Sequence, residues 1–369
     1  MGHRPPEDVE AAFARARTAQ KTWAATPIEE RKRILLRYHD LVLARQDEAL
    51  DLMQTENGKT RRDAFLKVVD IGIVSRYYAR NAAKYLGPKR RRGAIPLLTH
   101  TTELRHPKGV VTVISPWNYP LSMAADGAVA ACFPSAGQLC VSIERLYVAE
   151  SIRDEFVAAF IARTKKLKIG AAYDYSVDVG SLTTPSQLKT VTEHVDDAVA
   201  KGATVLAGGK ARPDLGPLFH EPTVLTDVTP DMTLHSHETF GPVVSIYTYR
   251  DVDDAVTQAN ATAYGLNASV WSRDGARGRA VAARVHAGTV NVNEAFAAAW
   301  GSVDAPMGGM GDSGLGRRHG ADGILKYTEP QTIAHQRVQG FTPPARISPE
   351  AWATLLTGAL KVLKAAGVR

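Results

Sequence analysis

Cysteine is scarce in this chain: Cys132 and Cys140 are the only two in 369 residues. Two thiols are too few for a disulfide framework, so a reducing compartment is expected. Long apolar runs are missing too. No stretch of 18 such residues occurs, and no transmembrane helix is expected. The opening MGHRPPEDVE lacks the apolar segment of a signal peptide, and Pro6 stands where N-myristoylation needs serine or threonine. Together these absences point to a soluble, cytoplasmic protein with no membrane partner.

Familiar catalytic signatures are equally sparse. The chain has no Walker loop, no G-x-S-x-G, no H-E-x-x-H and no Cys/His metal spacing, so those classes gain no support. Gly309 to Gly314, GMGDSG, matches G-x-G-x-x-G literally. It neither follows an apolar strand nor opens a helix, and so is not read as a dinucleotide fingerprint. The net charge of +7 invites a nucleic-acid reading. Its densest run, Lys89 to Arg92, has no interleaved aromatics and reads as a solvated loop, which leaves attraction for small acidic ligands.

What is present is an α/β pattern. Residues 7 to 86 show helical spacing, with Ile34, Leu35, Tyr38, Leu41 and Val42 as one apolar face and a turn at Glu56 to Thr60. GVVTVIS, Gly109 to Ser115, reads as a short buried strand. From Ser142 onward, strands alternate with amphipathic helices, which predicts a mostly parallel sheet. Asp251 and Asp254 suit the start of one of these helices. A final helix is expected over roughly 349–366, behind a Pro-rich linker.

Three places could carry chemistry. Cys140 follows Gly137, which permits close backbone approach, and lies ahead of an element start, where free amides lower a thiol pKa. A small buried hydrophobe is its other reading, and for Cys132 it is the sole one. Asn118, held between prolines in PWNYP, could donate to an oxyanion, or PWNYP could be a stiff turn around a buried Trp117. Glu238, in HETFGPVV, reads as solvated unless a ligand with hydroxyls lies against it.

Taken together, ENGK, HPKGVVTVISPWNYPL, AGQLCVSIERLYV, ETFGPVVSIY, YGLNASVW, GTVNVN and PMGGMGDSGLGRRHG are highly specific. Through them the chain resembles the NAD(P)-dependent aldehyde dehydrogenase family up to about Gln336, and most closely its actinobacterial succinate-semialdehyde branch. The resemblance implies Cys140 as nucleophile, Asn118 as oxyanion donor and Glu238 as the holder of the nicotinamide ribose. It places Phe240 beside the nicotinamide and Trp117 on the same cofactor side. Thiolate attack on an aldehyde, hydride transfer to NAD or NADP and thioester hydrolysis are the chemistry implied. For a carboxylate-bearing aldehyde such as succinate semialdehyde, Ser302 is the candidate substrate contact, with an ordinary loop serine as its other reading.

The expected fold is an aldehyde dehydrogenase-like α/β chain with a three-layer catalytic domain, a truncated Rossmann-type coenzyme domain and an N-terminal helical region. Residues 1–127 would hold the helices and the coenzyme-domain remnant, and 128–326 the catalytic domain. The segments 98–107 and 326–338 would be the sides of an oligomerisation hairpin of a dimer or tetramer, and 341–369 a tail helix. Asn118 and Cys140 stand only 22 positions apart, where the family has most of its coenzyme domain. The implied deletion is on the order of a hundred residues, the size of several βαβ units, with its join near Ala128. It would remove the pyrophosphate-binding helix entrance and the general-base glutamate, leaving Glu144 and Glu238 as the acids nearest Cys140 in sequence. Two readings follow: a working dehydrogenase, or a silenced deletion variant that keeps the fold, with residual cofactor-free esterase activity.

Overall fold

The computed structural model describes residues 6–91, 99–109, 124–336 and 342–365. One compact unit is formed by Met1–Ala82 with Gly109–Lys326, so the helical N-terminus and the Cys140 segment share a single body. Four helices open it: α1 (Pro6–Ala25), α2 (Ile28–Ala44), α3 (Gln46–Asn57) and α4 (Arg61–Leu86). Gly58, at φ 69°, ends α3 in the left-handed cap that glycine adopts without strain. Two residues later, Thr60 Oγ1 accepts the Asp63 N–H at 3.2 Å and starts α4. Leu50 of α3 and Ala64 and Val68 of α4 form a small buried cluster.

The helical spacing expected over α2 is borne out, and its apolar face is only partly covered: Ile34, Tyr38 and Leu41 are 44%, 48% and 47% exposed. Val42 alone of that face packs against the small cluster. An amphipathic stripe reports that a face is apolar; burial additionally needs an opposing element.

The sheet that follows is α/β in pattern, as expected. Its strands run in the order Arg145–Ala149, Val243–Tyr249, Thr223–Thr226, Thr204–Ala207; the first three are parallel and the last is antiparallel. A second parallel pair joins Asn267–Val270 to Thr289–Val292. Helices Arg153–Thr164, Pro185–Ala200, Val252–Ala259 and Gly275–Ala282 lie between strands in sequence, and the connection that carries the last of them is long enough for the parallel crossover from Val270 to Thr289. Thr184, Asp251 and Asp274 cap the last three with side-chain oxygens. The core runs from Phe133 and Phe160, stacked at 5.9 Å, through Val191 and Val244 to Phe296. The strand expected over 109–115 lies outside the described residues after Gly109.

The second unit joins Ala83–Lys108 to Tyr327–Arg369. Its antiparallel sheet has the order Lys89–Arg91, Thr99–Pro107, Thr328–Gln336. The long pairing runs from Thr328↔Pro107 to Gln336↔Thr99. The basic run, expected as a loop, is instead in part a short edge strand. Arg91 reaches across it to Glu103 at 2.7 Å, so pairing and an ion pair together order what charge alone would leave solvated. Helix Pro349–Ala365 closes the described chain with Leu355, Leu360 and Val362 exposed. Among the described residues no helix is long and apolar enough to cross a membrane, and no His/Cys/Asp/Glu group could hold a metal ion.

Candidate active site

Cys140 owes its place to the four residues Pro134–Gly137. Three successive positive φ angles, Ser135 at 49°, Ala136 at 55° and Gly137 at 69°, fold this segment into a tight turn. Such angles cost a non-glycine residue on the order of 1–2 kcal/mol each, so neighbours must hold them. Gln138, buried, does part of that: its Nε2 donates to Ser135 O at 2.9 Å, and its Oε1 accepts the Thr183 N–H at 2.9 Å. Gly137 is pressed against Gly241, and a Cβ there would meet the Gly241 oxygen at 1.9 Å. The Cys140 loop and the HETFGP segment are therefore in direct backbone contact.

That second segment is held from two sides. Glu144 Oε2 and Oε1 accept the N–H groups of Thr239 and Phe240, each at 2.8 Å. Gln187 Nε2 donates to the carbonyls of the same two residues at 2.8 and 2.9 Å. The clamp keeps Phe240 at φ 51° and leaves Glu238 at the surface, with no hydrogen bond to any described residue. Enclosure pushes the Glu144 carboxyl up to about 7 against the pull of the two amides, and partial burial raises Glu238 as well. Both Glu144 oxygens are engaged, which makes it a brace for this segment.

A third anchor comes from far upstream. Lys59 and Asp63 are buried at the start of α4. Lys59 Nζ donates to Ser135 Oγ at 3.3 Å, and Asp63 Oδ2 accepts the Ser135 N–H at 3.1 Å. Burial drives the Lys59 amine down and the Asp63 carboxyl up, while each opposes the shift in the other. ENGK and AGQLC, two motifs of the sequence, thus meet at Ser135.

Cys140 opens onto a cavity of about 470 Å³. Lys67 and Asp70 of α4 line it together with Leu266, Met307, the glycine-rich turn at Gly308 and Gly309, Arg317, Arg318 and Lys326. Arg318 Nη2 pairs with Asp70 at 2.8 Å, and Arg317 Nη1 donates to Gly309 O at 2.7 Å. The expectation that free amides lower the Cys140 pKa does not hold. Partial burial dominates and raises the thiol, with Lys67 and Arg318 pulling it down and Glu238 pushing it up. Cys132 is buried, as its core reading required.

A family model described as "Aldehyde dehydrogenase family" matches residues 2–130 and 123–333. The chain belongs to the aldehyde dehydrogenase family. A Mycobacterium ulcerans protein carrying the provisional name succinate-semialdehyde dehydrogenase [NADP(+)] 2 is 43% identical over 454 residues, covering 94% of this chain and 88% of that one. A Mycolicibacterium smegmatis protein with a provisional name of the same type is 41% identical over 466 residues, covering 97% and 90%. Among solved structures, the fold is shared with betaine aldehyde dehydrogenase of Staphylococcus aureus in complex with NAD+, at TM-score 0.81 and 24% identity over 90% and 88% of the chains. It is also shared with succinate-semialdehyde dehydrogenase of Burkholderia pseudomallei, at TM-score 0.79 and 24% identity over 87% and 88%.

These aldehyde dehydrogenase matches also locate the deletion. The two family-model segments meet at 123–130, and alignments of 454 and 466 residues exceed the 369 of the chain itself. Trp117 and Asn118 lie outside the described residues. Ser302 donates its hydroxyl to Ala298 O at 2.7 Å and is not among the residues lining the Cys140 cavity. Lys67 was not singled out from the sequence; its signal was a cation beside Val68 on a buried helix stripe. Glu238 is exposed, and neither it nor Phe240 is among the residues lining the Cys140 cavity. Among the described strand-to-helix junctions, those before Val252–Ala259 and Gly275–Ala282 are closed by Asp251 and Asp274, which take the amides a pyrophosphate would need.

Proposed function

We propose that this aldehyde dehydrogenase oxidises a carboxylate-bearing aldehyde of the succinate-semialdehyde type through Cys140, with NADP+ or NAD+ as hydride acceptor. The observation that carries the reading is the charge of the cavity at the thiol: Lys67, Arg317, Arg318 and Lys326 against Asp70. Such a wall favours an anionic substrate, and a guanidinium suits a carboxylate. The names of the mycobacterial relatives support the same substrate and NADP+.

In this reading Cys140 Sγ bonds to the carbonyl carbon, and Asn118 donates to the oxygen that gains charge. Glu238 accepts from ribose hydroxyls, with Phe240 and Trp117 beside the nicotinamide. The bound cofactor supplies the hydride acceptor. The exposed edge strand Thr328–Gln336 supports self-association into a dimer or tetramer.

Calorimetric titration of the purified chain with NADP+ and NAD+, followed by succinate-semialdehyde oxidation monitored as NAD(P)H absorbance, tests the proposal. The expected result is saturable binding and turnover that Cys140→Ser abolishes. A folded chain that gives no heat up to millimolar cofactor would remove the dehydrogenase reading.

A further inference from the structure

Lys67 and Cys140 line the same cavity from different parts of the chain, one on α4 and the other on the nucleophile loop. Among the described residues, the charged groups that act on the pair are identifiable. Cys140 faces the cations Lys67 and Arg318 and the carboxylate of Glu238. Lys67 faces Asp70, Asp63, Arg318 and Cys140 itself. Arg317 and Lys326 complete the cationic wall. A guanidinium keeps its proton at any working pH, so neither arginine can accept one. Glu144, the acid next along the chain, has both oxygens engaged by backbone amides. Of the lysines in the wall, Lys67 is the one whose charge registers at the thiol.

We propose that Lys67 Nζ is the proton acceptor that activates Cys140. Its neutral amine takes the Sγ–H proton as sulfur bonds to the carbonyl carbon and the carbonyl electron pair moves onto oxygen. The S–H bond breaks, N–H and S–C bonds form, and no oxidant is consumed in the step. Burial supports this ordering: it pushes the Lys67 amine down to about 8 and the Cys140 thiol above its ordinary 9, so the amine releases its proton first. The two then titrate as a pair, in which amine with thiol and ammonium with thiolate are the same protonation level. The inference rests on Cys140 being the nucleophile of the proposed function, and is independent of the cofactor.

The test is the rate of Cys140 alkylation by iodoacetamide, a neutral probe, in the full chain from pH 6 to 10. It is read as mass added to the Cys140 peptide, with Cys140→Ser as blank. The wild-type rate is expected to rise in two steps, the lower near pH 8. In Lys67→Met the lower step disappears and the rate at pH 8 falls several-fold, because the thiol loses both its proton acceptor and the cation that held it down. Lys67→Arg retains a cation that does not titrate, so its profile is expected to show a single step; it also carries the test should the methionine variant unfold. A lower step that persists in either folded variant belongs to another group and overturns the proposal. A Cys140 that resists alkylation at every pH overturns both this proposal and the nucleophile assignment, whereas a chain that alkylates as expected but fails to bind cofactor overturns the dehydrogenase reading alone.

Discussion

Lys59 and Asp63 are charged side chains in a position where chains rarely leave charge, 6% and 2% exposed. Their partner is the backbone and hydroxyl of Ser135, so what they hold is the turn that carries Cys140. Asp63→Ala is expected to cost about 1–3 kcal/mol, because it leaves the buried Ser135 N–H without its acceptor. A fall in the urea midpoint at unchanged slope checks this, and a loss below about 1 kcal/mol would show the pair to be dispensable. At this scale the sequence singled out Cys140 and Glu238 through the motifs immediately around each. Lys59 was visible inside ENGK but its contact was not, because Ser135 is 76 positions away. Lys67 was hidden for the same reason: on an amphipathic helix a lysine reads as solvated unless one knows what faces it.

The helices at the N-terminus divide into two kinds. Leu50 of α3 is fully buried against Ala64 and Val68, while Leu41 of α2, equally apolar, stays 47% exposed. Leu50→Ala is therefore expected to cost about 2–5 kcal/mol, the range for emptying a filled core position. Leu41→Ala should cost under about 1 kcal/mol, because much of its surface is already in water. Parallel urea unfolding of both variants decides it, and equal losses would mean that α2 is covered in solution. The periodicities that predicted these helices were sound, as were the caps at Asp251 and the parallel pairings after Ser142. Periodicity carries no information about which faces meet. That is why the exposed stripe of α2 and the Thr223–Thr226 strand, threonine-bounded yet fully buried, were not legible.

Over the whole chain, the family's order of parts survives with a segment removed at 123–130. In the second unit, Thr328–Gln336 pairs with Thr99–Pro107 on one side and forms the edge of its sheet on the other, exposed along nearly its whole length. Such an edge recruits a second strand. Light scattering on the purified chain is expected to give a dimer or tetramer, and Ile333→Lys, which charges that edge, to shift it toward monomer without altering Cys140 alkylation. A wild-type monomer at micromolar concentration would sink the idea. The turn at Ser135 has one more consequence, for a protein supplied in two pieces. A break after Arg91 would put Lys59 and Asp63 on one fragment and Ser135 to Cys140 on the other. Neither fragment alone would satisfy its half of that clamp, so the return of wild-type thiol reactivity on mixing would serve as a readout of fragment complementation.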